Sequence, residues 1–294
     1  MKKNWITIIL VVIALGGAGL LAYPTFSDWW NSLHQSRVVA SYTDTVSKMD
    51  TRENDAILES AEKYNEMVRK RGIRWTMTEE ERAEYEKELD ITGTGIMGYL
   101  EIPSLNVLLA IYHGTNESVL QIATGHLEGS SLPVGGKGTH VMISGHTGLP
   151  SAKLLTGIRS LKPGDTWTIT VLNRTLTYEM DQTLIVEPYD LSSLQIEPGA
   201  DYCTLITCWP EGQNTHRLLV RGHRIDTEKE STVTVTADAM QIRPVYIAPF
   251  IAAPVLLLLI LIMLISTGRR PRRKKEKGGP GREGKTQEKR GNAA

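Results

Sequence analysis

The chain has 294 residues, and its 33 Lys or Arg balance 33 Asp or Glu to a formal net charge of zero. This length accommodates one domain with extensions, and apart from two long apolar runs the composition is that of an ordinary globular protein. The neutral total conceals a basic tail, residues 269–294, with eleven Lys or Arg against three Glu. We expect this tail to be disordered, to face the cytoplasm and to attract anionic lipid, which makes nucleic-acid binding the weaker interpretation.

Two uncharged apolar runs are each long enough to cross a membrane. Residues 5–23 follow Lys2 and Lys3 and would form a helix of roughly 28 Å, close to the ~30 Å of a hydrocarbon core. This run exceeds the usual core of a cleaved signal peptide, so an uncleaved anchor is expected. Residues 245–267 form the second predicted span. The positive-inside rule then places both termini in the cytoplasm and residues 24–244 outside the cell membrane.

The sequence divides into six predicted segments. They are a cytoplasmic flank with the first anchor (1–30), a helical extension (31–92), a β-rich domain (93–226), a linker (227–244), the second span (245–267) and the basic tail (268–294). Within the extension, apolar residues recur at helical intervals, as at Ile57, Ala61, Tyr64 and Val68, and predict two amphipathic helices. The acidic run at residues 79–88 is interpreted as a solvated helix face rather than a metal site.

From Gly98 onward the pattern changes to short β-type runs separated by Gly and Pro. The seven runs are residues 99–102, 107–112, 140–144, 166–172, 176–186, 202–208 and 217–225. Several short strands at this spacing predict a mainly β domain with a closed sheet. Residues 172–175 are expected to form a two-residue hairpin turn centred on Asn173 and Arg174.

The two cysteines, Cys203 and Cys208, both fall in the run of residues 202–208. Because side chains alternate faces along a strand at about 3.3 Å per residue, they point to opposite sides roughly 16 Å apart and cannot form a disulfide. Cys203 is interpreted as a small buried apolar residue. Cys208 ends its strand beside turn-forming residues, and Arg217 follows on the predicted neighbouring strand. An unpaired thiol outside the cytoplasm is exposed to oxidants, so Cys208 is the candidate nucleophile.

A cysteine nucleophile needs a partner base, and the chain has seven histidines. His146 follows the predicted strand at residues 140–144 and is bracketed by glycines, which places its ring in a strand-end loop. Such loops commonly carry catalytic groups. His126 and His216 remain rivals on this reasoning.

Four motifs resemble signatures of the sortase family. Residues 204–208 read TLITC and residues 214–222 read NTHRLLVRG, similar to the TLxTC and NTxRLLVRG patterns of that family. Residues 128–136 (EGSSLPVGG) and 144–154 (SGHTGLPSAKL) complete the match. The resemblance covers about residues 93–225 and is nearest to the class C, pilus-assembling sortases.

This resemblance implies an eight-stranded sortase-type closed β-barrel, one strand more than the seven runs, here with an N-terminal helical extension and two transmembrane helices. It assigns Cys208 as the nucleophile, His146 as the catalytic histidine and Arg217 as the catalytic arginine. We also expect Thr204 and Thr207 of the cysteine motif to contact the substrate. An imidazolium raises the reactive thiolate fraction and can then protonate a departing amine, while guanidinium donors suit an oxyanion.

The chain departs from the class C pattern at the lid, where an Asp-Pro-aromatic motif is usual. No Asp-Pro dipeptide occurs, and Arg74-Trp75 is the nearest substitute, so Trp75 is the lid-like candidate. Residues 70–78 carry three cations, which over the cleft would oppose Arg217 by like charge. A weakly closed lid is therefore expected.

The resemblance implies a membrane-anchored cysteine transpeptidase that cleaves an LPXTG-like sorting signal and transfers the acyl group from Cys208 to an amine. The expected donors are surface or pilin proteins, and the acceptor is a pilin lysine or a cell-wall precursor. Alternatives are a housekeeping-like sortase, a thiol protease that uses water, and a non-catalytic surface module. No cofactor or metal is expected, because residues 135–138 lack the Ser or Thr of a phosphate loop and Cys203, Cys208 and His216 lack paired zinc-ligand spacing.

Overall fold

The computed structural model describes residues 5–227. Within these residues the helices are α1 Trp5–Lys48, α2 Thr51–Arg71, α3 Glu79–Tyr85 and α4 Glu117–Leu120. The strands are β1 Ile96–Ile102, β2 Val107–His113, β3 Thr124–His126, β4 Thr139–Ser144, β5 Thr166–Val171, β6 Arg174–Val186, β7 Asp201–Trp209 and β8 His216–Ile225. The predicted second span at residues 245–267 and the basic tail lie outside the described residues, as does nearly all of the linker.

The eight strands form one closed barrel in the order β1-β2-β3-β4-β7-β8-β6-β5. The pairs β2/β3 and β4/β7 are parallel, and the other neighbours are antiparallel. Closure leaves no free sheet edge and confirms the eight-stranded barrel that the motifs implied.

The barrel interior follows from two-residue alternation. In β5, Trp167, Ile169 and Val171 are buried and the residues between them are not, so one face of the strand supplies the core. Leu205 and Val220 do the same in the paired strands β7 and β8. The sequence pattern had predicted seven of these strands.

The missed strand is β3, which is only three residues long. A two-residue period cannot be recognised over so short a segment. Its neighbours define it instead, because it pairs with β2 on one side and β4 on the other.

Helix α1 continues well beyond the first apolar run, which ends at residue 23. The helix is continuous for 44 residues and includes Pro24, so the predicted anchor and the start of the predicted extension form one element. Among residues 5–227 it is the one helix long and apolar enough to cross a membrane, and its apolar part is exposed. Tyr42, further along α1, donates a hydrogen bond to the carbonyl of Met97 in the barrel.

Helices α2 and α3 cover the barrel. The predicted apolar face of α2 is confirmed at Ala61, Tyr64 and Val68, which are buried with Leu58 in the same core as the strands, while Ile57 is partly buried against that core. The first turn of α3 is closed by a reciprocal capping box between Thr78 and Glu81. The extension is therefore packed against the barrel along its length.

The β5–β6 hairpin turn is displaced by one residue from the prediction. Val171 pairs with Arg174, so Leu172 and Asn173 occupy the turn. Leu172 adopts a positive φ of 52° yet has its side chain buried, and its N–H donates to the Tyr42 hydroxyl. Burial of Leu172 and the bond to α1 together decide the register of this turn.

Candidate active site

Cys208 and Arg217 are cross-strand partners. Strands β7 and β8 are antiparallel, and their register places Cys208 opposite Arg217. The connection between them turns back through hydrogen bonds from the Gln213 and Asn214 N–H groups to the Pro210 carbonyl. Directly opposed residues on paired strands have Cβ atoms roughly 5 Å apart. The prediction that Arg217 lies beside Cys208 on the neighbouring strand is confirmed.

His146 reaches the same place from a third strand. Strand β4 is parallel to β7, with Ser144 paired to Ile206. His146 and Cys208 each lie two residues beyond that pair, so both side chains come from the same end of the two strands. The backbone continues the ladder there, because Gly145 N–H donates to the Ile206 carbonyl at 3.0 Å. A Cβ on Gly145 would stand 2.8 Å from Leu155, which explains the glycine.

A cleft of about 490 Å³ contains these three side chains. Its walls also include Thr207 and Trp75, and its apolar lining includes Ile206, Leu194 and Leu219. Four of the predicted functional residues outside the lid segment, His146, Cys208, Arg217 and Thr207, are thus brought together. The Cys208 side chain is half-buried at this site.

Two polar atoms of the residues that line the cleft have no hydrogen-bond partner within the described part of the chain. They are the Nε2 atom of His146 and the hydroxyl of Thr207, whose residue is only 3% exposed. Arg217 uses Nη1 to donate to the carbonyls of Asn214 and His216, at 3.3 and 3.0 Å. Buried polar groups are normally paired, so these atoms are suited to a polar ligand such as a peptide.

Sequence reasoning missed Glu117, at the start of α4. Its Oε1 lies 3.6 Å from Nε2 of His146, an ion-pair distance rather than a hydrogen bond. The Glu117 side chain is largely exposed, which limits its influence on the imidazole. Nothing in the local pattern around Glu117 signals this proximity, because it depends on the pairing of β2, β3 and β4.

Cys203 lies on the opposite face of β7, as predicted. It is fully buried in the barrel core, and the Trp167 indole N–H donates to its sulfur at 3.4 Å. Burial raises the pKa of the Cys203 thiol to about 12, so it stays protonated and unreactive. Both cysteines are free, and Cys208 is the accessible one.

The two rival histidines are not suited to serve Cys208. His126 is fully buried, and its ring nitrogens are hydrogen-bonded to the Tyr85 hydroxyl and the Ser131 carbonyl. Burial lowers the pKa of His126 to about 4. His216 pairs across the strands with Trp209 instead of Cys208. The geometry favours His146.

Thr204 does not line the cleft, which corrects its expected role as a substrate contact. It is 1% exposed, and its hydroxyl lies 2.7 Å from Nε2 of His140. The Nδ1 atom of His140 lies 2.9 Å from the Gln195 carbonyl, which can only accept. His140 is therefore protonated at Nδ1, and Thr204 donates to its Nε2. The pair ties β7 to the segment between β6 and β7, a structural role.

Trp75 lies at the cleft wall in the segment between α2 and α3. Together with Ile73 it packs against an outer apolar cluster of Met142, Leu194, Ile206 and Leu219. The predicted like-charge opposition between this segment and Arg217 stays a prediction. Arg71 and Arg74 both bond the Glu81 carboxylate, at 2.8 and 3.2 Å, so this single carboxylate offsets one of their two positive charges.

Within residues 5–227, no group of three or more His, Cys, Asp or Glu side chains is arranged to hold a metal ion. The acidic run of residues 79–88 instead contributes separate contacts. Glu81 binds Arg71 and Arg74, and Glu88 accepts from the Ser60 hydroxyl.

Comparisons with known proteins agree with this geometry. The sortase domain family matches residues 100–225. Sortase C1 from Streptococcus agalactiae has 50% sequence identity and a TM-score of 0.64, and the match covers 65% of this chain and 100% of that chain. Clostridium perfringens sortase C, solved with the C-terminal cell wall sorting motif, has 38% identity and a TM-score of 0.58, covering 65% of this chain and 100% of that chain. Sortase D of Bacillus subtilis (strain 168) is 30% identical over 131 residues, which span 44% of this chain and 63% of that protein.

A closed β-barrel that directs a thiol, an imidazole and a guanidinium into one cleft defines a class of protein equipped for cysteine-dependent acyl transfer. The match at 50% identity over the whole length of the streptococcal chain identifies the family within that class. The chain belongs to the sortase family.

Proposed function

We propose that this protein is a membrane-anchored cysteine transpeptidase that cleaves an LPXTG-like sorting signal and passes the acyl group from Cys208 to an amine. The observation that carries the proposal is the register of β4, β7 and β8, which brings His146, Cys208 and Arg217 to one cleft. Relatives of this chain include sortase C proteins, and one of them was solved with a sorting motif.

In the first half-reaction the Cys208 thiolate attacks the carbonyl carbon of the scissile Thr–Gly bond. A free cysteine thiol is only a few per cent ionised at pH 7, so a neighbouring imidazolium increases the reactive fraction. As the tetrahedral intermediate collapses, the C–N bond breaks and the His146 imidazolium gives its proton to the departing amine. The product is a thioester on Cys208.

In the second half-reaction an acceptor amine attacks the thioester carbonyl. Neutral His146 takes the proton of the incoming amine, the C–S bond breaks and the thiolate of Cys208 is restored. Arg217 donates to the oxyanion in both steps, since the Nε and Nη2 groups of its guanidinium carry no hydrogen bond within the described residues. Thr207 is the proposed further substrate contact, because its hydroxyl has no hydrogen-bond partner within the described residues.

The cleft is suited to a peptide with an apolar start. Its lining combines Ile206, Leu194 and Leu219 with the polar groups around Cys208, which matches a Leu-Pro segment followed by a polar scissile bond. Surface or pilin proteins are the proposed donors. The resemblance to class C relatives favours a pilin lysine as acceptor, and attachment to a cell-wall peptide is the alternative.

The proposed location follows from α1 and the sequence. The apolar start of α1 anchors the protein, the barrel lies outside the cell membrane, and residues 245–267 form a second span. Both termini are then cytoplasmic, and the basic tail contacts anionic lipid.

Trapping the acyl-enzyme tests the proposal. Cys208→Ala should fold normally, because one small side chain replaces another at a half-buried strand end, yet form no thioester with an LPXTG peptide. Cys203→Ala is the matched control on the same strand and should retain the thioester. Intact-protein mass spectrometry measures both, and a thioester in Cys208→Ala would end the proposal.

A further inference from the structure

The loop that follows His146 is held in a strained conformation. Leu154 has a positive φ of 40°, and its side chain is buried in the main core. Leucine avoids this backbone region because its Cβ approaches the carbonyl oxygen. Such a residue persists only where its surroundings force the conformation, and strained residues of this kind cluster at functional sites. Contacts on either side of Leu154 must therefore hold this loop.

The contacts come from the part of α1 just beyond its apolar run. Ser27 and Asn31 both donate side-chain hydrogen bonds to the Ser151 carbonyl, at 2.9 and 2.7 Å. Asp28 accepts one from the backbone N–H of Lys153 at 2.7 Å. The three helix residues lie on one face of α1, since Ser27 and Asn31 are four positions apart. We name Ser27, Asp28 and Asn31 the juxtamembrane clamp.

The clamp is connected to His146 through very few residues. It fixes the backbone at Ser151 and Lys153, immediately before the strained Leu154. The next residue, Leu155, donates its N–H to the His146 carbonyl at 3.1 Å, and its side chain packs against Gly145. A displacement at Lys153 is therefore transmitted to the backbone that carries the catalytic imidazole.

The clamp also lies close to the expected membrane surface. The apolar run ends at residue 23, five positions before Asp28. At a rise of 1.5 Å per residue, that interval is roughly 8 Å along the helix axis. Because α1 is continuous, the helix that leaves the membrane is the same element that holds the histidine loop.

We propose that Asp28 and Asn31, supported by Ser27, are positioning residues that hold His146 in its productive orientation, so that the membrane anchor is part of the catalytic architecture. This inference rests on the proposed transpeptidase activity. The clamp bonds the loop backbone, so it orients the loop whatever the side chains of Ser151 and Lys153 do. Loss of the clamp should leave Cys208, Arg217 and the cleft walls in place while the imidazole is misplaced.

The experiment measures single-turnover acylation of Cys208 by an LPXTG peptide in the full chain, solubilised in detergent micelles. The main variant is the double substitution Asp28→Ala with Asn31→Ala. Asp28→Asn is the conservative counterpart, because an amide oxygen still accepts the Lys153 N–H. Rates are normalised to the titratable Cys208 thiol of folded protein, and the melting temperature is recorded for each variant.

Two control variants separate loop positioning from general docking of α1. Gln35 also joins α1 to the barrel, donating to the Ile122 carbonyl and accepting from Ala110 N–H, and within the described residues it makes no hydrogen bond to the histidine loop. Gln35→Ala should lower the melting temperature without changing the acylation rate. Asp44→Ala removes only an exposed ion pair with Lys48 on the same helix and should change neither quantity.

The expected result is a fall of about tenfold in the maximal acylation rate of the double variant, equivalent to about 1.4 kcal/mol of transition-state stabilisation. The peptide concentration at half-maximal rate should stay within twofold, and Asp28→Asn should remain near the wild-type rate. An unchanged rate in the double variant, or an equal loss in Gln35→Ala, overturns the inference. If the double variant does not fold, Asp28→Ala against Asp28→Asn decides by the same criterion. Absence of acylation in the wild-type chain would instead refute the proposed function.

Discussion

Although the sequence predicts a weakly closed lid, because it has no Asp-Pro dipeptide, the packing of Trp75 against the cleft lining predicts that its indole restricts access to Cys208. The indole is half-buried against Leu194, Ile206 and Leu219 at the cleft wall. In the same segment the Arg74 carbonyl packs closely against Gly129, 1.9 Å from where a Cβ on that glycine would stand. The perturbation is Trp75→Ala, which removes the indole and leaves the backbone of the segment in place.

The magnitude follows from the area that the indole covers. A half-buried tryptophan removes roughly 100 Å² of apolar surface from water, worth up to ~2.5 kcal/mol at about 25 cal/mol per Å². Part of that contact persists in the open state, so we assign about 1.4 kcal/mol of this burial free energy to the difference between the closed and open states. This energy corresponds to about a tenfold change in the closed-to-open ratio. Where the closed state dominates in the wild type, the apparent rate of a reaction that requires the open state should rise by nearly the same factor.

The assay is alkylation of Cys208 by a small thiol reagent, together with LPXTG peptide cleavage, under pseudo-first-order conditions. Cys203 is fully buried and does not contribute to the labelling. Thr76→Ala changes an exposed neighbour in the same segment and is the matched control. Rates of Trp75→Ala within twofold of wild type would refute the reasoning and show that this wall does not move.

Three further predictions concern single residues of the barrel. Arg217→Lys should reduce turnover about 10²-fold, because lysine loses the planar fork that holds the oxyanion, and a near-wild-type rate would contradict the assignment. Arg221 cannot substitute, since Asp181 binds it through two hydrogen bonds of 3.0 and 3.1 Å. Thr207→Val should leave the melting temperature unchanged or raise it, because the Thr207 hydroxyl is buried without a partner. The same substitution should lower kcat/KM for the peptide about tenfold. An unchanged kcat/KM would show that Thr207 does not contact the substrate. His126→Gln should flatten the loss of stability at low pH. The pKa of His126 is about 4 in the folded chain and 6.5 ordinarily, so the unfolded chain binds the proton first as the pH falls. This difference contributes up to ~3 kcal/mol to the free energy of unfolding above pH 6.5, and the contribution is lost as the pH falls to 4. Equal urea midpoints against pH for the variant and wild type would show that other groups control acid unfolding.

Local pattern was sufficient where the structure depends on residues close in sequence. The nine-residue interval from Cys208 to Arg217 spans one antiparallel hairpin, so the spacing alone predicted neighbours on adjacent strands. Alternation along β7 separated Cys203 from Cys208 for the same reason, since side-chain direction in a strand reverses at each residue. The buried face of α2 was readable from its helical period.

The tertiary structure decided what depends on distant segments. His146 meets Cys208 because β4 and β7 pair in parallel across about sixty residues of sequence, a register that no local period specifies. Thr204 is bonded to His140 and does not line the cleft, and Glu81 pairs with both Arg71 and Arg74 beside Trp75. Each of these contacts is made by side chains whose proximity only barrel closure and helix packing create.

The same division applies to the predicted membrane anchor. Composition and length alone indicated a spanning helix at residues 5–23, because burial of apolar surface in lipid requires nothing beyond the segment itself. That α1 continues to Lys48 and bonds the loop after His146 was decided by packing, since the partners of Ser27, Asp28 and Asn31 lie more than a hundred residues away. The residue types of the site are thus a property of the sequence, whereas their orientation is a property of the folded barrel and the helix docked on it.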